Sequence, residues 1–156
     1  MTKGTVNSNT ADEGGGLVVR AMVRNEGASM SNTVLAGNTA ALAADCISIV
    51  KSLGHNIVGS DSGCGFMPGQ GDTRSTTAQP VDPKLAGLVV NGGATATSAV
   101  HPDSPAIDAA NGSCPSVDQR GVARSRGPSC DIGAYTGRNP GIIQSRGRCR
   151  PAPNRL

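Results

Sequence analysis

Residues 7–19 read NSNTADEGGGLVV and residues 35–50 read LAGNTAALAADCISIV; both carry Asn-Thr-Ala, at 9–11 and again at 38–40. In each stretch a short apolar or β-branched run follows a corner of Gly, Asn or Asp. Further runs of the same kind are Met30 to Leu35 and Asn56-Ile57-Val58. Gly, Asn and Ser interrupt every window of about ten residues, too often for helices of ordinary length. Only Thr39–Ala44, with Ala at 40, 41, 43 and 44, has the composition for a helical turn. Short strands at intervals of roughly 10–20 residues, with weak self-similarity, point to a parallel β-solenoid. The expected fold is all-β, a short parallel β-solenoid.

The composition fits a narrow coil. Among 156 residues only Phe66 and Tyr135 are aromatic, there is no Trp, and Gly numbers 22. Ile, Leu, Val and Phe together number 28, below the roughly 20% mark associated with disorder. The net charge of +3 lacks the high charge that accompanies disorder. Two rings cannot build a bulky aromatic core or a stacking platform for sugars or bases. Small aliphatics stacked from coil to coil can fill a narrow interior, with Gly and Asn supplying φ > 0 at the corners. Asn9, Asn38 and Asn56 are candidates for a ladder of side-chain hydrogen bonds, or for single turn residues.

The chain divides into β-helix coils (1–60), an extended loop (61–85), final strands and a cap (86–137), and a disordered Arg-rich tail (138–156). The tail holds five Arg and no acid, so the body before it is mildly acidic, at −2. Such a tail can bind polyanions electrostatically, or serve only as a solvated end. Five Cys fall at 46, 64, 114, 130 and 149. Proximity suggests Cys46–Cys64 and Cys114–Cys130, each closing a loop of about 15–20 residues and each contributing roughly 3 kcal/mol. Cys149 is left over. No CxxC or HxxxH spacing supports zinc. Disulfides imply an oxidising compartment. Residues 1–10, MTKGTVNSNT, hold no apolar signal core, and no run of about 18 apolar residues offers a membrane span.

Further motifs follow in order: NTVLAGN (32–38), Asp45-Cys46, SLGHNIVGSDSGC (52–64), DPKLAGL (82–88), NGGATATSAVHPDSPAIDAA (91–110), Cys114, DQRGVARSRG (118–127) and CDIGAY (130–135). In this order and spacing, the set resembles the C-terminal region of bacterial right-handed parallel β-helix proteins with the choice-of-anchor Q domain. The resemblance covers about residues 5–136. It implies an exported extracellular or cell-surface protein, a polysaccharide or cell-envelope partner, and no established catalytic residue. It also implies that the solenoid is a short right-handed parallel β-helix with a loop-rich, disulfide-tied C-terminal cap, and that DQRG and CDIGAY form its capping end. The chain departs from the pattern in four places. The long upstream solenoid is absent, leaving two or three coils; Thr136 follows the aromatic where an acid is usual; the Arg-rich tail replaces an anchor; and Ser98-Ala99, with His101 beyond, replaces a His-Ala pattern. These departures predict a piece of a longer reading frame, whose uncapped coil end near Leu17–Val19 drives self-association.

The densest polar cluster is Asp103, Asp108, Asp118, Arg120 and Asp131, with His101 nearby. As an enzyme site it suits a glycoside hydrolase with paired carboxylates, or a polysaccharide lyase with an Arg or Lys base and acid-bound calcium. His101 would then shuttle a proton. The preferred reading is structural and needs no cofactor: Asp108, Asp118, Arg120 and Asp131 close the cap, with Arg120 in a bidentate pair to Asp131 or Asp108. Asn111-Gly112-Ser113 matches a glycosylation acceptor and reads as a turn. Three functions follow: a non-enzymatic structural or adhesive module, a carbohydrate-active enzyme, or a tail-mediated polyanion binder.

Overall fold

A computed structural model of the chain describes residues 1–20, 27–75, 79–112, 114–124 and 127–137. The Arg-rich tail, Cys149 and Ser113 of the acceptor motif lie outside the described residues. Among the described residues twelve strands run in order: β1 (Thr5–Val6), β2 (Thr10–Glu13), β3 (Leu17–Val18), β4 (Ala28–Met30), β5 (Val34–Leu35), β6 (Thr39–Leu42), β7 (Cys46–Ser52), β8 (Ile57–Val58), β9 (Cys64–Met67), β10 (Thr73–Arg74), β11 (Leu85–Val89) and β12 (Thr97–Val100). The described residues hold no helix, and the protein is all-β.

The pairings among β1 to β10 are all parallel. Thr5 lies opposite Val34, Thr10 opposite Thr39 and Leu17 opposite Cys46. All three pairs keep one offset, the 29 residues that also separate Asn9 from Asn38. The Asn-Thr-Ala repeat is therefore a strand register. The next step is shorter: Val34 faces Ile57 at the 23-residue offset of Thr33 and Asn56. Ala28 faces Val50 at an offset one shorter still. In the last step Ile57 faces Thr73 and Ser48 faces Cys64, both at the 16-residue offset of Asn56 and Asp72. Three sheets result, in the orders β1-β5-β8-β10, β2-β6 and β3-β7-β4, with β9 on β7. β11 and β12 form a separate antiparallel pair.

The corners obey the same offsets. Lys3, Asn32, His55 and Gly71 all take left-handed φ, between 48° and 72°, and their spacing repeats the three strand steps in order. Ser8 with Gly37, and Gly14 with Ala43, are two more such pairs, both at the first and longest step. Asn and Gly enter this region at low cost, whereas Lys, Ala and His are strained there by about 1 kcal/mol or more. Gly16 is required for another reason: a Cβ there would stand 2.5 Å from the carbonyl oxygen of Asp45, so only glycine lets these backbones approach.

Strand alternation divides the core into two layers. Leu35 and Val58 turn to one side, with Met30, Cys46 and Val50, and Phe66 packs against them. Val34, Ala36 and Ile57 turn to the other, against Ala106 and Ile132. The central strands β5 and β8 are thus buried on both faces, as parallel sheets require.

Four expectations are corrected. Thr39–Ala44 is not a helical turn; Thr39–Leu42 is β6, because pairing with β2 satisfies its backbone where an isolated alanine turn would leave it loose. Residues 61–85 are not one extended loop, since β9 and β10 lie within them on ladders templated by β7 and β8. Asn9, Asn38 and Asn56 do not form one ladder. Asn9 Nδ2 donates to Asn38 Oδ1 at 2.9 Å and Asn38 Nδ2 to Asp45 Oδ1 at 2.9 Å. Asn56 serves another corner, accepting from Thr33 N and donating to Asp72. Finally, CDIGAY lies along the outer face of the β1-β5-β8-β10 sheet. Ile132 packs on Val34 and Ile57, Gly133 N donates to Asn32 O, and Ala134 N donates to Thr5 Oγ1. The apolar outer face of that sheet would otherwise meet water.

Both expected disulfides are present, Cys46–Cys64 and Cys114–Cys130, with Cα separations of 5.4 and 6.0 Å.

Candidate functional site

The DQRG motif is a tight turn at the tip of a small hairpin. Gly121 N donates to Asp118 O, Asp118 N donates to Val122 O, and Val117 bridges Ala123. Gly121 supplies the left-handed residue, at φ 80°. Asp118 opens the turn because its own side chain closes it: Oδ1 accepts from the amides of Arg120 at 2.8 Å and Val122 at 3.1 Å. Oδ2 accepts from Arg120 Nε at 3.0 Å, Arg120 Nη2 at 2.7 Å and Thr136 N at 3.0 Å. The Asp118 side chain is fully buried. Burial pushes its carboxyl upward, but the Arg120 hydrogen bond and the amides of Thr136, Arg120 and Val122 outweigh that and hold it below the ordinary carboxylate range. The Arg120 guanidinium stacks 3.5 Å from the Tyr135 ring centroid and donates to Thr136 O. Its partner is therefore Asp118, just upstream in the same turn, and the expected bidentate pair with Asp131 or Asp108 is corrected. The local turn places Arg120 over Tyr135 and fixes its reach.

Asp131 is also buried, and its two oxygens accept separately from Asp108 N at 2.8 Å and Gly137 N at 2.7 Å. Burial raises its carboxyl pKa above the usual value, against the pull of those amides and of Arg124. Asp108 takes left-handed φ, and its Oδ1 accepts from Ser129 N at 3.4 Å.

Arg124 and Lys3 complete the group, and sequence reasoning missed both. Arg124 is 3% exposed and donates to three backbone carbonyls, those of Val117, Asp131 and Gly133. Lys3 is 8% exposed, and its buried Nζ has no hydrogen-bond partner. Burial and then the nearby Arg124 lower the Lys3 pKa, and the Asp131 charge opposes them. The signal for Lys3 was present in the sequence, since it precedes Asn32 by the same step that separates the two Asn-Thr-Ala copies. Asn32 Nδ2 donates to Asn111 O, and His55 Nδ1 lies 2.9 Å from Ala109 O. Above Lys3, the corner column thus reaches outward onto the flanking segment at each of these two levels.

Lys3, Arg124, Asp118 and Gln119 line an open cleft of about 490 Å³, with Thr2 and Thr5 on the strand side. The two remaining candidates lie elsewhere. His101 and Asp103 share a shallow depression of about 330 Å³ with Asp82 and Lys84. There Lys84 Nζ donates to Asp103 Oδ2 at 2.6 Å, which holds Asp103 below and Lys84 above its ordinary pKa. The six sequence candidates are therefore split between two places. Among the described residues no three of His, Cys, Asp or Glu are gathered to hold a metal ion, so the acids do not assemble around a calcium position.

No known protein family, curated protein or solved structure matches the chain.

Proposed function

We propose that the chain is a non-enzymatic structural or adhesive module: coils of a short right-handed parallel β-helix from an exported surface protein, flanked by the disulfide-tied segment 86–137. The observation that carries this reading is the saturation of Asp118, which accepts five hydrogen bonds from protein donors and faces Arg120 as a fixed ion pair. A general acid or base must exchange a proton with substrate, and this carboxylate has no free lone pair directed at one. Asp131 is occupied in the same way by two amides. The coil assignment is supported by strands and left-handed corners that advance through the chain by the same three successive steps. Export is supported by the two disulfides. Among the described residues no helix is long and apolar enough to cross a membrane.

The test is incubation with a panel of acidic polysaccharides. No reducing ends and no unsaturated products are expected. Release of either would replace the module with a glycoside hydrolase or a polysaccharide lyase, and His101 and Asp103 would be the first residues to substitute.

A further inference from the structure

We propose that the cleft between the Lys3 corner and the 115–124 hairpin is a binding site for a singly charged oxyanion, the carboxylate of a uronic-acid unit in an acidic polysaccharide. One of its lining residues is a lysine whose buried ammonium the protein leaves without a hydrogen-bond partner. Lys3 is more than nine-tenths buried, lines the cleft, and has no hydrogen-bond partner for its Nζ. Burying an ammonium without a partner is strongly unfavourable, so a lysine kept there is accounted for by a ligand that pairs it. The backbone gives no reason for lysine either, because this corner takes φ 50°, and the equivalent position is filled by Asn32, His55 and Gly71 in the later coils.

The surrounding side-chain charges set the valence. Lys3 and Arg124 are the two cations of the cleft wall without a side-chain ion pair. Asp118 also lines the cleft, but Arg120 neutralises it. Asp131 lies close enough to act on both cations, though its oxygens are turned to backbone amides. These side chains alone sum to one positive charge, which a single carboxylate matches. Arg124 uses three of its five N–H donors on carbonyls, which leaves two for a ligand. The Thr5 hydroxyl oxygen accepts from Ala134 N and the Thr2 hydroxyl oxygen from Ser31 Oγ, so both O–H groups remain free to donate to a sugar. No aromatic residue lines the cleft, so recognition rests on charge and hydrogen bonding.

The polymer assignment rests on the adhesive reading above; the anion site itself does not. Both are tested on the full chain and on Lys3→Met, which keeps the stem, removes the charge and leaves the tail unchanged. Tetragalacturonate and inorganic sulfate are titrated by calorimetry and by thermal melting, with a neutral glucan oligomer as control. Tetragalacturonate is expected to bind the native chain and raise its melting temperature, to bind Lys3→Met about tenfold more weakly, and to be recovered uncleaved. Absence of binding to the native chain, or equal binding to both chains, overturns the site. So does a Lys3→Met chain that melts well below the native one without ligand, because the ammonium would then be answered internally. Sulfate binding without tetragalacturonate binding overturns the uronate assignment. Cleavage of the bound oligomer overturns the non-enzymatic reading while leaving the site intact.

Discussion

A buried carboxylate is stabilised or penalised according to what meets its oxygens, and Asp118 and Asp131 show both cases within one flanking segment. Asp118 meets a guanidinium and three amides, so its ionised form is favoured by folding. Its folded pKa is lowered, so this contribution is complete above the unfolded carboxylate value, about 4, and drains away as pH falls through the lowered value. Asp131 runs the other way: with a raised folded pKa, its favourable contribution belongs to acid and is lost as pH rises through the raised value. Asp118→Asn should therefore cost about 3 kcal/mol at pH 7, because it leaves Arg120 and an amide facing a donor. The difference from the native chain should shrink as the pH falls well below 4. Urea denaturation of both chains at pH 7 and in acid checks this, and a difference independent of pH would show that the Asp118 charge is not what matters. At this scale the DQRG turn rests on local chemistry, Asp, Gly and their spacing, although the sequence alone places the motif only as part of a cap. The partner of Arg120 was not legible, because several acids lay within reach and only the turn geometry selects the one within the turn itself.

Between elements, the backbone depends on side chains that span successive paired strands. Asn56 is fully buried and bonds Thr33 N, Met30 O, Ser52 Oγ and Asp72, joining three levels of chain. Asn9 is exposed and ends its ladder. Asn56→Ala should cost about 2–4 kcal/mol by stranding an amide and a carbonyl, and Asn9→Ala less than about 1 kcal/mol. Similar losses for both in chemical denaturation would contradict this account of the corners. The bridges differ likewise. Cys46 is fully buried in the inner core, whereas Cys114 is exposed. Limiting reductant should therefore open Cys114–Cys130 first, which peptide mapping after alkylation would reveal, and early labelling of Cys46 would contradict it. The first and longest step was readable because it brings the two Asn-Thr-Ala copies into one strand register, Thr10 against Thr39 and Ala11 against Ala40. The two later steps were not, since shortening the connections erases the sequence period while the strands still align. β9 and β10, set among Gly, Ser and Pro, owe their strand form to the neighbours that template them.

Across the whole molecule, the parallel sheets have open ends. β1, β2 and β3 each pair on one side only among the described residues, and every residue of β2 is exposed. Unpaired edges of this kind invite another chain, and native proteins usually block them with charge, Pro or a covering segment. The flanking segment covers the outer face of the β1 sheet and meets its edge near Thr5, through Ala134, and at Asn7, through Ser98, while β2 and β3 have no such cover among the described residues. Val18 lies on β3, an end strand of its own sheet, and is 41% exposed. A net charge of +3 on 156 residues gives little repulsion against stacking. The chain should therefore self-associate with rising concentration, and sedimentation velocity should show its average mass increase. Val18→Lys places a charge beside the edge and should reduce that association while leaving the buried layers untouched. The disulfides are not required for the effect, because neither bridge lies on β1, β2 or β3. A single monomeric boundary at the highest attainable concentration would mean that the edges are closed by something other than a second copy. Unchanged association in Val18→Lys would place the contact elsewhere, with the exposed Leu88, Val89 and Val90 around β11 the next apolar surface to test.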